Sequence, residues 1–228
     1  MTTPAAEDFD FRKLVRDVSA ELALPPDFLS NLLHEDDWSF VVKSHALVEG
    51  AVTHLLVEST GDARLATFFQ RLQLNGEGGK IAAARALELM TPWQVRFLRA
   101  LSPMRNRLAH RATHFNFDLA AHVATLSADQ LNELVLNLSL QDAPVKEDVA
   151  LTRAHIEYSC KLHLWMLVVY FLGDVYLTAK WARLDREGAQ IDADIARSSQ
   201  AVIDAIFAAV ERDGKFEIRA AKPKSDAG

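Results

Sequence analysis

The segment RNRLAH, residues 105–110, sets a guanidinium at Arg105, a carboxamide at Asn106 and an imidazole at His110 within little more than one helical turn. These types suit acid–base chemistry on a phosphodiester. That chemistry needs a group that moves protons near neutral pH and a cation that neutralises charge as it builds on phosphorus. An imidazole titrates in the right range, and a guanidinium offers a planar fork of donors to two phosphate oxygens. Asn106 lies four residues before His110, hence on the same helical face, where it can orient the ring or bond the sugar. Arg105 and His110 stand about 140° apart around a regular helix, so they do not meet within one chain. A groove wide enough for a phosphodiester, or two chains each contributing a copy, reconciles them. A catalytic site of this kind therefore implies a homodimer.

The charge around this segment is uneven. No Asp or Glu occurs between Glu88 and Asp118, yet Arg96, Arg99, Arg105, Arg107 and Arg111 all do, in a chain of formal charge −6. Arg99, Arg107 and Arg111 are therefore candidate nucleic-acid contacts beside the Arg105, Asn106 and His110 set. A pI near 5.7 argues against wrapping nucleic acid over a broad basic surface, so any such role is local. The competing account is structural: cations near a helix C-terminus favour its negative end and pair with the acidic remainder of the chain.

The elements that must position these groups read as helices. Thr91 is placed to cap and Pro92 to occupy the first helical position, with Leu98, Leu101, Leu108 and Ala112 forming an inward face. Pro103 predicts a kink just before Met104. Upstream, residues 38–57 carry Val41, Val48, Val52 and Leu55 at a 3.6-residue period. Residues 62–74 and 80–90 predict two more helices, separated by the glycine-rich NGEGG turn. That turn lacks the strand and Lys-Ser/Thr pattern of a phosphate-binding loop. Ahead of these, an amphipathic arm from Phe9 to Leu22 stops at Pro25 and Pro26, Asp27 is placed to cap a short turn, and the acidic HEDD run opens the next helix.

Downstream, residues 117–126 read as helical, and Ser127 with Gln130 forms a capping box for a helix through Leu138. Pro144 opens a nearly continuous helix to about Leu184, and residues 192–210 form another. The KFEIR alternation suggests a short strand, and the last eight residues read as disordered. With no strand–helix alternation and no fixed repeat, the fold class is all-α.

Other constellations carry less. His110 and His114 have the spacing of two metal ligands, but no HExxH glutamate and no third ligand accompany them, so neither a metal nor a cofactor is expected. His155, Ser159 and His163 share a stripe that a polar face or a satisfied core explains. Cys160 stands alone with no activating motif, and with no leader-like segment it fits a reducing cytoplasm. The apolar run 162–177 is short for a bilayer span and contains Asp174, so it reads as a core helix, its aromatic residues packing inside rather than stacking on bases. No membrane association is expected.

The Arg, polar residue, spacer and His of RNRLAH resemble the signature of HEPN domains, small helical bundles often paired as dimers. The stretches DDWSFVVKSHALVEGAVTHLL and GGKIAAARALELMTPWQVRFLRALSPMRNRLAH are also similar in layout to the mannitol-operon-repressor-like branch of those proteins, over roughly residues 36–115. The chain reads as an N-terminal helical arm over residues 1–35, a single helical domain with additional helices over 36–212, HEPN-like by the resemblance, and a flexible tail over 213–228, although only roughly 36–115 is covered by the resemblance. The resemblance further implies metal-independent cleavage of an RNA substrate by a homodimer, with a toxin or defence role and an antitoxin or regulatory protein as partner. The alternative within the same resemblance is a noncatalytic regulatory or interaction module whose arginines bind protein or nucleic acid. No helix-turn-helix is evident to read a DNA major groove.

Overall fold

In the computed structural model, which describes residues 11–109 and 116–213, the chain is a helical bundle with no strand among those residues. The arm forms α1 (Phe11–Glu21), followed by the short α2 (Phe28–Leu32). Asp27 does not cap α2 with its side chain, as the sequence predicts. Its backbone is left-handed at φ 58°, and its carbonyl receives the Asn31 N–H at 2.8 Å, so it serves the chain reversal after the two prolines.

Asp36, extended at φ −61° and ψ 159°, accepts the Ser39 N–H at 2.9 Å and starts α3 (Asp37–Thr60). Gly61 ends that helix at φ 67°, a backbone conformation costly to any residue with a Cβ. Asp37, the other half of the acidic run, is more than a solvated helix start. One carboxylate oxygen accepts the Leu119 N–H at 2.7 Å and the other lies 3.1 Å from Lys161 Nζ.

The helix expected over residues 62–74 is shorter and begins as a 3-10 turn (Ala63–Leu65) before α4 (Ala66–Arg71). Leu72 then turns extended, and the carbonyls of Gln73 and Leu74 receive the N–H groups of Lys80 and Ile81 at 2.9 and 3.1 Å. This ties both ends of the NGEGG turn together. The next helix, α5 (Lys80–Ala86), also stops early, because Glu88 adopts φ 56° and Leu89 N–H returns to Ala84 O.

Helix α6 (Pro92–Ala109) carries most of the RNRLAH segment. Its first donors are taken by side chains outside the expected cap: Gln94 Oε1 accepts Thr91 N–H at 2.9 Å and Asp142 Oδ1 accepts Trp93 N–H at 3.0 Å. Pro103 does not interrupt the assigned helix. It is exposed, while Leu98, Leu101, Met104 and Leu108 before and after it are buried against the bundle, and that packing outweighs one missing ladder bond. Ala112 lies outside the described residues.

Helices α7 (Leu119–Ala124) and α8 (Ala128–Asn137) come next, the latter with the predicted Ser127–Gln130 capping box. The final helix, α9 (Lys146–Asp213), joins the two helices expected over 144–184 and 192–210. Arg186, Glu187, Ala189 and Gln190 among the joining residues are good helix formers, and they outweigh Asp185 and Gly188. The break falls instead at Ser159 (φ −162°, ψ 98°), whose Oγ accepts the Leu162 N–H at 3.2 Å and caps the helix anew on its C-terminal side.

By contacts the chain divides into residues 1–183 and residues 184–228. The core of the first unit is apolar, with Phe97 and Phe171 ring centroids 5.6 Å apart and Trp93 edge-on to Phe171 at 6.3 Å. Of the aromatic run expected in the core, Phe171 is fully buried, Trp165 and Tyr170 pack half-buried against the core and Tyr176 lies outside it; Trp165 donates its indole N–H to Leu29 O at 2.6 Å. In the second unit α9 exposes Ile191, Ile195 and Ile203, and Asp194 accepts from Gln190 and pairs with Arg197. Among the described residues, residues 37–60 and 146–201 are long and apolar enough to cross a membrane by length and composition; 50% and 56% of their apolar windows are buried within the protein. Phe9, the KFEIR segment and the terminal residues lie outside the described residues.

Candidate functional site

Helices α3 and α6 and the turn ahead of α5 bring unlike polar groups to one cavity. Lys80, the first residue of α5, comes directly after the NGEGG turn and reaches Glu49 of α3, with Nζ 2.7 Å from Oε1. The Lys80 side chain is only 3% exposed. The other Glu49 oxygen lies 3.8 Å from Nδ1 of His45, one turn earlier on α3. From α6, Ser102, Arg105 and Asn106 share a face at i, i+3 and i+4 spacing. Together with Gln73, Leu74 and Asn75 of the turn and with His45 and Glu49, they line a cavity of about 370 Å³.

The turn is held close by Gly79. A Cβ there would sit 2.6 Å from the Asn75 carbonyl oxygen and 2.8 Å from that of Gln73. No side chain fits, and the close approach presents Gln73 and Asn75 to the cavity.

Electrostatics favour an anion. Glu49 is balanced by Lys80, and Arg105 is then in excess. His45 adds no charge near pH 7: burial holds its pKa below the ordinary 6.5, Glu49 pulls it upward, and Arg105 and Lys80 push it down. Ser102 is 1% exposed, and its hydroxyl has no hydrogen-bond partner.

Arg105 and Asn106, predicted as site residues, meet here: the guanidinium donates to the Asn106 carboxamide oxygen at 3.1 Å. His110, the predicted proton carrier, lies outside the described residues, as do Arg111 and His114. Arg99 and Arg107 fall elsewhere. They line a separate hollow of about 170 Å³ with His122 and Glu133, where Arg107 Nη1 is 3.4 Å from His122 Nδ1. Two residues turn a helix by about 200°, which puts Arg105 and Arg107 on opposite faces. Arg96 is engaged as well, donating to the carbonyls of Leu136, Ser139, Gln141 and Asp142. The arginines close in sequence are thus divided among three environments.

His45, Glu49 and Lys80 were not among the predicted site residues. Their sequence signal was faint: a His and a Glu four apart in an apolar helix, and a Lys directly after two glycines. The other constellations take structural places. His163 is buried with Nε2 3.0 Å from Leu138 O, and burial pushes the Cys160 thiol up to about 12, away from nucleophilic chemistry. Among the described residues, no group of three or more His, Cys, Asp or Glu is placed to hold a metal ion.

The fold and this cavity define an all-α bundle with a polar pocket between α3, α6 and the turn ahead of α5, cationic once the Lys80 that pairs with Glu49 is counted. Compared with protein-family models, curated proteins and solved structures, the chain finds no match in any of the three.

Proposed function

We propose that this chain is a HEPN-like, metal-independent endoribonuclease that acts as a homodimer in the cytoplasm. Arg105 holds the scissile phosphate, Asn106 positions it and His110 moves a proton. The observation that supports this reading is the cavity itself: Arg105 and Asn106 stand together over a hollow whose charge balance is positive and whose volume suits one residue of a polyanion. A toxin or defence role, with a protein partner that restrains the enzyme, comes from the same resemblance.

The test is cleavage of RNA by the purified chain in excess chelator, with analysis of the ends. The expected products carry 2′,3′-cyclic phosphate and 5′-hydroxyl termini. Arg105→Ala and His110→Ala are each expected to lower the rate about 100-fold or more with unchanged helical content. Retained RNA binding without cleavage by the native chain would instead favour the regulatory module.

A further inference from the structure

Beside Arg105, α3 supplies a second proton-carrying group, outside the RNRLAH segment. We propose that His45 is a catalytic residue of this cavity, its imidazole taking the proton from the 2′-hydroxyl of a ribonucleotide whose phosphate rests on Arg105, with Glu49 as positioning residue. The proposal rests on the reading of the cavity as an RNA site.

The geometry carries it. His45 and Glu49 are one turn apart on α3, and Lys80 of α5 fixes Glu49 from the far side at 2.7 Å. Glu49's second oxygen then lies 3.8 Å from Nδ1, too far for a hydrogen bond, and its negative charge there favours hydrogen on Nδ1 and a lone pair on Nε2. The charged groups around the ring are Glu49 on α3, Lys80 on α5 and Arg105 on α6. Two cations and burial act against one anion, so the ring stays unprotonated near neutral pH, the state a base requires. In the step, the 2′-O–H bond breaks as its proton passes to Nε2, and an O2′–P bond forms while the P–O5′ bond breaks. The departing 5′-oxygen takes its proton from His110, the acid of the proposed function, and solvent then carries the proton of the His45 imidazolium back to His110. Arg105 is the donor available to the phosphorane oxygens.

The experiment measures kcat/KM for a short RNA against pH, with RNA affinity and thermal unfolding recorded for every variant. His45→Gln is expected to lower kcat/KM about 100-fold with affinity changed by less than about threefold. The acid limb of the native profile is expected below pH 6.5, the ordinary histidine value. Glu49→Gln should move that limb to lower pH, because it removes the one neighbour that raises the ring's pKa. A purely structural histidine would not set the limb. In the native chain, the assigned His45 ring resonances should shift when a 2′-deoxy analogue of the substrate is added, a readout that survives should His45→Gln fail to fold. Undiminished cleavage by folded His45→Gln, an acid limb indifferent to Glu49→Gln, or unmoved His45 resonances would overturn the proposal. If His110→Ala alone abolished cleavage, the nuclease reading would stand without His45. If the native chain cut no RNA, both would fall.

Discussion

Lys80 shows how one residue joins stability to the site. Its ammonium is buried and depends on Glu49, whose side chain keeps 31% exposure and can be hydrated if left alone. The two ends of the pair are therefore unequal. Glu49→Gln strands a buried cation and is expected to cost about 3 kcal/mol, whereas Lys80→Met leaves a carboxylate that water still reaches and is expected to cost about 1 kcal/mol or less. Urea unfolding of the two variants checks the order, and equal losses would show that Lys80 is solvated more freely than its burial implies. Sequence could name Arg105 and Asn106 because they are adjacent and lie in a run of arginines. It could not join His45 to residues 35 and 60 positions away, since that pairing exists only once α3, α5 and α6 are packed.

At the scale of elements, local chemistry was readable where the partners are local. The Ser127–Gln130 capping box and the inward face of α6 are dictated by spacing alone, and the structure has both. Asp36→Ala removes another local device and is expected to cost about 1 kcal/mol, measured by urea unfolding. The ends of α4 and α5 fall short of the apolar spacing, because an extended Leu72 and a left-handed Glu88 answer to the closed turn between the helices and to chain reversal. Gly79 holds that turn. Gly79→Ala would drive a methyl into the backbone of Asn75, and a loss of about 1–3 kcal/mol is expected, together with displacement of Gln73 and Asn75 from the cavity. Weaker RNA binding by Gly79→Ala at a temperature where it remains folded would tie the turn to the site.

For the whole molecule, buried imidazoles set the response to acid. His45, His122 and His163 all have pKa values depressed below 6.5, with burial the leading cause for each. Their contribution to stability is present in full above the unfolded value and is lost as pH falls from there through the depressed folded values. Asp174 acts oppositely: burial and nearby Asp142 raise its pKa, so its protonation in the fold offsets part of the loss at lower pH. The urea midpoint is therefore expected to decline between about pH 7 and about pH 5, and a flat profile there would mean that the three rings are hydrated in the native state.

The sequence alone determined that the chain is helical, where most helices begin and which side chains face inward, since periodicity, caps and apolar spacing act over a few residues. It also determined that Arg105 and Asn106 stand side by side. Only the tertiary structure decided that neighbouring arginines part company, Arg96 to the carbonyls after α8, Arg99 and Arg107 to one hollow and Arg105 to another, because a helix turns by about 100° at each residue and every face meets a different partner. It alone placed a buried histidine, its carboxylate and a buried lysine beside Arg105, an arrangement that rests on desolvation and on contacts between distant helices.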